Sequence, residues 1–232
     1  MMASREEINK IWEKKWQNNH SPWDMPQGSP YLKNFFQYLV KGSINGKRIL
    51  VPLCGATVDM AWFYKQGLTV VGIELFETPC KLFFERLSLS YEVKEKNNVK
   101  VYSHDDRLKI YQCDFFSTDC DLLGGCFDYW FDVGGLEATV PEEQQKYINQ
   151  LTSLLKPAGR VLMECFEYDM SLRRQPPHSI PTETFKVYLS DKFIIEELSR
   201  KTEDELPEEY TARIGCNCVH VLYLLTKKLT NV

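Results

Sequence analysis

The hydrophobic and polar pattern of the chain is sharpest in residues 48–74, RILVPLCGATVDMAWFYKQGLTVVGIE. A short apolar run over 49–53 meets a turn at Cys54-Gly55, a helix-length segment follows, and a second apolar run over 70–73 ends on Glu74. Short apolar runs bounded by turn residues read as strands. The order is therefore strand, loop, helix, strand, as in a doubly wound α/β sheet, where ligands bind beyond the carboxyl ends of parallel strands.

Glu74 lies nineteen positions after Gly55, about where such folds place an acid on a ribose. Two readings stand: the carboxylate accepts the hydroxyls of an adenosine-containing cofactor, or it is an exposed acid ending an ordinary βαβ unit. Leu53-Cys54-Gly55-Ala56 lacks the G-x-G-x-x-G that lets a pyrophosphate approach the backbone, which counts against a NAD-dependent oxidoreductase. S-adenosylmethionine, with ribose and adenine but no phosphate, fits better. Its amino-acid end needs one close backbone approach, at Gly55.

Before this unit, residues 4–19 read as a helix with Ser4 as N-cap and Glu7 completing a capping box. Ile8, Trp12 and Trp16 share one face, and Pro22-Trp23 returns a third tryptophan to the same region. These rings either staple the helix to the core or cover a pocket. A second helix spans 31–40. After Glu74 come a helix over 78–89, a polar segment over 90–107 expected as a surface hairpin with Asn97-Asn98 at its tip, and a strand over 108–116. Asp114 at that strand end could accept from an adenine amino group while Phe115 packs on the purine, or it could cap the next turn. A fourth strand over 127–131 closes on Asp132, a helix spans 141–155, and a turn at 156–159 leads into a strand over 160–166. The proline-rich RRQPPHSIP of 173–181 is too stiff for a helix and suits a pocket wall or lid. A helix over 182–189 and strands over 193–198 and 218–226 finish the chain.

Composition narrows the class. The 232 residues carry 44% apolar side chains, enough for a sizeable core, and nothing requires a second domain. A net charge of −4, with dispersed Lys and Arg, lacks the basic footprint of a nucleic-acid binder. The N-terminal residues read as charged, without an apolar core of signal-peptide length, and no run approaches the length of a membrane span. A soluble cytoplasmic monomer acting on a small molecule is expected. The eight cysteines read as reduced thiols in or beside apolar runs, Cys216-x-Cys218 being the only close pair, and the histidine spacing predicts no metal site.

PLCG, VVGIE, a third strand ending in an acid, FD-x-x-x-D, LLKPAGR and YLLTKK, preceded by W-x-x-x-W, resemble the thiopurine S-methyltransferase family over about residues 12–228. The resemblance implies a single domain, with residues 1–45 as an N-terminal helical cover on a core of 46–232. That core would be a Rossmann-like, mostly parallel, seven-stranded sheet of a class I S-adenosylmethionine-dependent methyltransferase. It implies S-methylation of a small aromatic or heterocyclic thiol. Halide or other-thiol methylation on the same fold, or a cofactor-binding protein without turnover, are the alternatives.

Carried over residue by residue, Trp12, Trp16 and Trp23 match the cofactor cover, with Trp23 bordering substrate. Leu53 and Gly55 match the methionine end, Glu74 the ribose acid, and Asp114-Phe115 the adenine side. Asp132 matches the fourth-strand acid and is the catalytic candidate, either holding a substrate hydrogen or capping the next loop. Pro176 and Pro177 match a substrate-side proline pair. The family's thiopurine enzymes carry an arginine after the fourth-strand acid and another before the last strand. Here these positions are Val133 and Tyr210, with Arg213 three residues on, so the expected acceptor is compact or uncharged.

Overall fold

The computed structural model describes residues 4–21, 23–173, 175–206, 208, 210, 214 and 217–229; Pro22, Arg213 and Cys216, singled out above, lie outside the described residues. The strands are β1 (Arg48–Val51), β2 (Thr69–Glu74), β3 (Glu92–Lys96), β4 (Val99–Ser103), β5 (Leu108–Gln112), β6 (Phe127–Val133), β7 (Leu155–Glu167), β8 (Phe193–Thr202) and β9 (Val219–Lys227). The α-helices are α1 (Arg5–Gln17), α2 (Leu32–Leu39), α3 (Asp59–Lys65), α4 (Glu77–Arg86), α5 (Gly135–Ala138), α6 (Gln144–Leu154) and α7 (Thr182–Leu189).

Successive strand residues point to opposite faces, and both faces here are apolar. Ile49, Val51 and Val70 enter one core with Leu39, Phe63, Phe83 and Phe84. Leu50, Val71 and Ile73 enter the other with Tyr147, Ile148, Leu151 and Phe185. This two-sided burial explains why the strands read as continuous apolar runs rather than alternating ones.

Among the described residues the sheet has nine strands in the order β3-β4-β5-β2-β1-β6-β7-β9-β8. Only the central five, β5-β2-β1-β6-β7, are parallel. The expected seven-stranded, mostly parallel sheet is thus corrected to a mixed, nine-stranded one. The difference comes from the 90–107 segment. Its hairpin does not stand apart but pairs antiparallel with β5 through β4. Asn97 and Asn98 turn it with φ of +53° and +60°, the left-handed pair that a two-residue hairpin loop needs. The turn expected at 156–159 is taken up inside β7 as a bulge: Phe127 pairs with Leu155, but Tyr129 pairs with Arg160. Residues 120 and 126 depart from the all-thiol expectation, because the chain folds back within six residues and joins Cys120 to Cys126 as a disulfide.

The segment at Gly28 to Tyr31 is tied to the sheet and to α3 by buried contacts. The Ser29 amide donates to the Asp59 carboxylate at 3.0 Å, and its hydroxyl donates to Glu164 at 2.5 Å. Glu164, on β7, also accepts from the Tyr210 hydroxyl at 2.7 Å and sits 3.1 Å from Nε2 of His220 on β9. Tyr31 stacks on His220 with ring centroids 4.4 Å apart. Gly28 makes the approach possible, since a Cβ there would stand 2.3 Å from Asp59 Oδ1. Among the described residues no helix is long and apolar enough to cross a membrane.

Candidate active site

The chain runs outward from β1 to β2 and β5, then returns to β6 and β7, so the direction of winding switches between β1 and β6. A crevice at such a switch point is where open α/β sheets bind ligands. A cavity of about 200 Å³ lies there, lined by the residues that follow β1, β2, β5 and β6 and roofed by α1 and the segment around Trp23.

Glu74 is its best-defined polar group. One carboxylate oxygen accepts from the Gly55 amide and the other from the Phe76 amide, both at 2.9 Å. The carboxylate therefore fixes the loop after β1 and the start of α4 while keeping lone pairs for a ligand. Burial pushes its pKa up to about 7, against the pull of those amides. Gly55 has a φ of +53°, and a Cβ added to it would meet the Trp16 ring at 3.0 Å. Leu53 also holds a positive φ, +44°, and lines the cavity.

The three tryptophans meet. Trp23 stands edge-on to Trp12 at 4.7 Å and to Trp16 at 5.4 Å. Trp16 is buried in the core and also lines the cavity, so the ring that anchors the cover is part of the wall. The capping box at Ser4 and Glu7 is present. From the next residue, the Arg5 guanidinium donates to Asp114 and lies 4.6 Å from the Phe116 ring centre. Asp114 also accepts from the Phe116 amide at 3.0 Å. Phe115 is buried against Trp130 and Tyr147 with one side on the cavity.

Val133, Pro176 and Pro177 also line the cavity. Two other expected site residues do not. The Asp132 carboxylate accepts from the Tyr147 hydroxyl at 2.5 Å, the Gly135 amide at 2.8 Å and the Trp130 indole at 3.3 Å. It is buried behind the strand end, where it caps the α5 turn, and burial raises its pKa. Tyr210 is fully buried, with its hydroxyl on Glu164 rather than in the lining.

Other lining residues carried no assignment in the sequence. Asp59 accepts from Ser29 and Thr57, and burial pushes its pKa up to about 6. Lys15 lies over Trp12 and Trp23 at 5.0 and 5.1 Å. Arg173 comes from the proline-rich excursion and reaches the wall beside Pro176. A helical i, i+3 relation to Trp12 was the available signal for Lys15. Nothing local distinguishes Arg173 from a solvated arginine.

The lining fits an adenosyl cofactor without phosphates. It has a buried acceptor for a diol, an acid flanked by aromatic rings, one glycine at the closest backbone approach, and π faces suited to a cation.

The profile of the Thiopurine S-methyltransferase (TPMT) family matches residues 8–228. The thiopurine S-methyltransferase of Pseudomonas aeruginosa is 32% identical over 190 residues, covering 82% of this chain and 85% of that protein. That of Mus spretus is 32% identical over 221 residues, covering 94% and 90%. Among solved structures, the Burkholderia thailandensis 1,6-didemethyltoxoflavin-N1-methyltransferase, with 1,6-didemethyltoxoflavin and S-adenosylhomocysteine bound, superposes with a TM-score of 0.65 at 18% identity. That match covers 99% of this chain and 92% of the other. It shows a shared class I methyltransferase fold, while the profile and the curated relatives show that the chain belongs to the thiopurine S-methyltransferase family.

Proposed function

We propose that the protein moves a methyl group from S-adenosylmethionine to the sulfur of a small aromatic or heterocyclic thiol. The observation that carries this reading is Glu74 bonded to the Gly55 amide at the carboxyl ends of β1 and β2, under a tryptophan roof. When bound, S-adenosylmethionine supplies an electrophilic methyl group on a sulfonium. Glu74 would hold the ribose, Asp114 and Phe115 the adenine end, and Leu53 and Gly55 the methionine end. Trp12, Trp16 and Trp23 exclude water and surround positive charge with π faces, each good contact being favourable by roughly 0.5–2 kcal/mol. Val133, Pro176 and Pro177 form the acceptor wall.

A heteroaromatic thiol arrives ionised, so the site needs no general base, consistent with Asp132 being committed to Tyr147, Trp130 and Gly135. What remains for the protein is positioning, which accounts for about 7–11 kcal/mol of a barrier in favourable cases. Asp132 contributes by holding the turn that follows Val133. We read the chain as one functional unit, a cover of 1–45 on a core of 46–232, working as a cytoplasmic monomer.

The test is turnover with methyl-labelled S-adenosylmethionine across a panel of aromatic thiols, aliphatic thiols, hydrosulfide and halides. Labelled aryl methyl sulfide as the preferred product supports the reading. Preference for halide or hydrosulfide moves the acceptor class, and cofactor binding without turnover of any acceptor removes the enzymatic reading.

A further inference from the structure

The charges on the cavity wall do not cancel locally. Five acids line it: Asp24, Asp59, Glu74, Asp114 and Glu143. Each already has partners. Asp24 takes Arg86, Asp59 takes Ser29 and Thr57, and Glu74 takes two backbone amides. Asp114 takes Arg5, and Glu143 takes Arg5 and Lys146. Three cations line it, and Arg5 is used in these pairs. Lys15 and Arg173 remain, and among the described residues neither has a carboxylate within ion-pair distance.

Both are held in place without being neutralised. Arg173 donates from Nε to the Gln175 carbonyl at 3.1 Å, from one terminal nitrogen to Ile214 O at 2.6 Å and from the other to Pro176 O at 2.7 Å. A guanidinium has five N–H groups, so each terminal nitrogen keeps one to spare beside the two prolines. Carbonyl oxygens orient the fork but leave its charge uncompensated. Lys15 rests over two indole faces, which direct its ammonium while its stem is half-buried. Burial lowers the Lys15 pKa, and the Arg173 charge adds to that effect. Two unneutralised cations near a site for a sulfonium are unfavourable until an anion joins them.

Resting on the thiol methyltransferase reading, we propose that Lys15 and Arg173 form an anion subsite. It holds a carboxylate or similar oxyanion on the acceptor and replaces the positive charge missing at Val133. A planar fork with two free N–H groups suits a carboxylate better than a point charge would. The subsite selects aromatic thiols with a ring carboxylate over their uncharged parents, reversing the preference that Val133 alone suggests.

The experiment compares 4-mercaptobenzoate with 4-methylbenzenethiol at pH 8, and, by calorimetry, binding of their methylated products to the protein saturated with S-adenosylhomocysteine. The wild type should favour the carboxylated member at least tenfold in kcat/KM and in product affinity, the scale of one charge-assisted hydrogen bond. Lys15→Gln and Arg173→Gln should each remove most of that ratio, and Arg173→Lys should restore part of it. Equal affinity for the two products in the wild type overturns the subsite. So does a loss of S-adenosylhomocysteine affinity in both Gln variants with the product ratio unchanged, because the cations would then serve the cofactor's own carboxylate. The binding arm stands even if neither thiol is turned over, a result that would strike the enzymatic reading alone.

Discussion

Glu74 ties cofactor affinity to pH. Its carboxyl is buried with its pKa pushed up to about 7, and the ionised form is the better acceptor for two ribose hydroxyls. The ionised fraction is about one-tenth at pH 6 and nine-tenths at pH 8. The dissociation constant for S-adenosylhomocysteine should therefore fall roughly tenfold over that interval, about 1.4 kcal/mol. The stability effect has the opposite slope. The folded carboxyl keeps its proton between about 4.5 and about 7, where the unfolded one has lost it, so unliganded stability declines as pH rises through that window and levels above it. Asp59 lines the same cavity with a pKa of about 6, so wild-type data alone would mix the two groups. Glu74→Gln separates them. It should weaken binding at pH 8 by about 1.5–3 kcal/mol, the scale of hydrogen bonds to a charged group, and abolish the slope between pH 7 and 8. Calorimetric titration from pH 5.5 to 8.5 is the assay. A flat wild-type profile, or a change between pH 6 and 8 that survives undiminished in Glu74→Gln, would refute the assignment of ribose binding to this carboxylate.

Asp132→Ala leaves the buried Tyr147 hydroxyl and Gly135 amide without their acceptor, so urea unfolding should show a loss of about 1–3 kcal/mol for each group left unsatisfied; a selective fall in kcat with stability intact would restore a catalytic role. S-adenosylhomocysteine should change tryptophan fluorescence and protect residues 10–25 from proteolysis, since ordered ligand contacts reduce the opening of a chain terminus; if both signals stay flat, the roof is fixed. Arg5→Ala removes the ties from α1 to Asp114 and Glu143, partly exposed ion pairs worth about 0.2–1 kcal/mol each, and should raise proteolysis of α1 while lowering the free energy of global unfolding by no more than their sum.

The parallel core was legible because its strands are buried on both faces and read as uninterrupted apolar runs ending in Gly55, Glu74, Asp114 and Asp132. The capping box announced α1 in four residues. What the pattern concealed was pairing. The EVKEK stretch of β3 is exposed throughout and has no apolar alternation that could reveal its place in the sheet. The site was legible where a residue acts at a strand end next to a turn, as with Glu74. It was not where orientation decides. Asp132 ends its strand as Glu74 does, but Tyr147, fourteen residues beyond Val133, draws it inward. Tyr210 and Glu164 pair across 46 positions, and Lys15 and Arg173 reach one cavity wall only through the folded roof.

The hairpin at the far edge of the sheet also bears on how the protein behaves at high concentration. A free edge strand exposes a row of N–H and C=O groups to any passing chain, and sheets with unguarded edges grow by strand addition. Here the outermost strand carries Glu92, Lys94, Glu95 and Lys96, all exposed. A copy docking on it would have to strip water from charged groups on both faces, which is costly without good partners. Two strands separate this guard from β2 and its Glu74, so the features that keep the sheet finite and those that bind ligand can vary independently. Replacing the four charged residues with threonine and valine would leave the cavity alone and leave that edge open to pairing with a second copy.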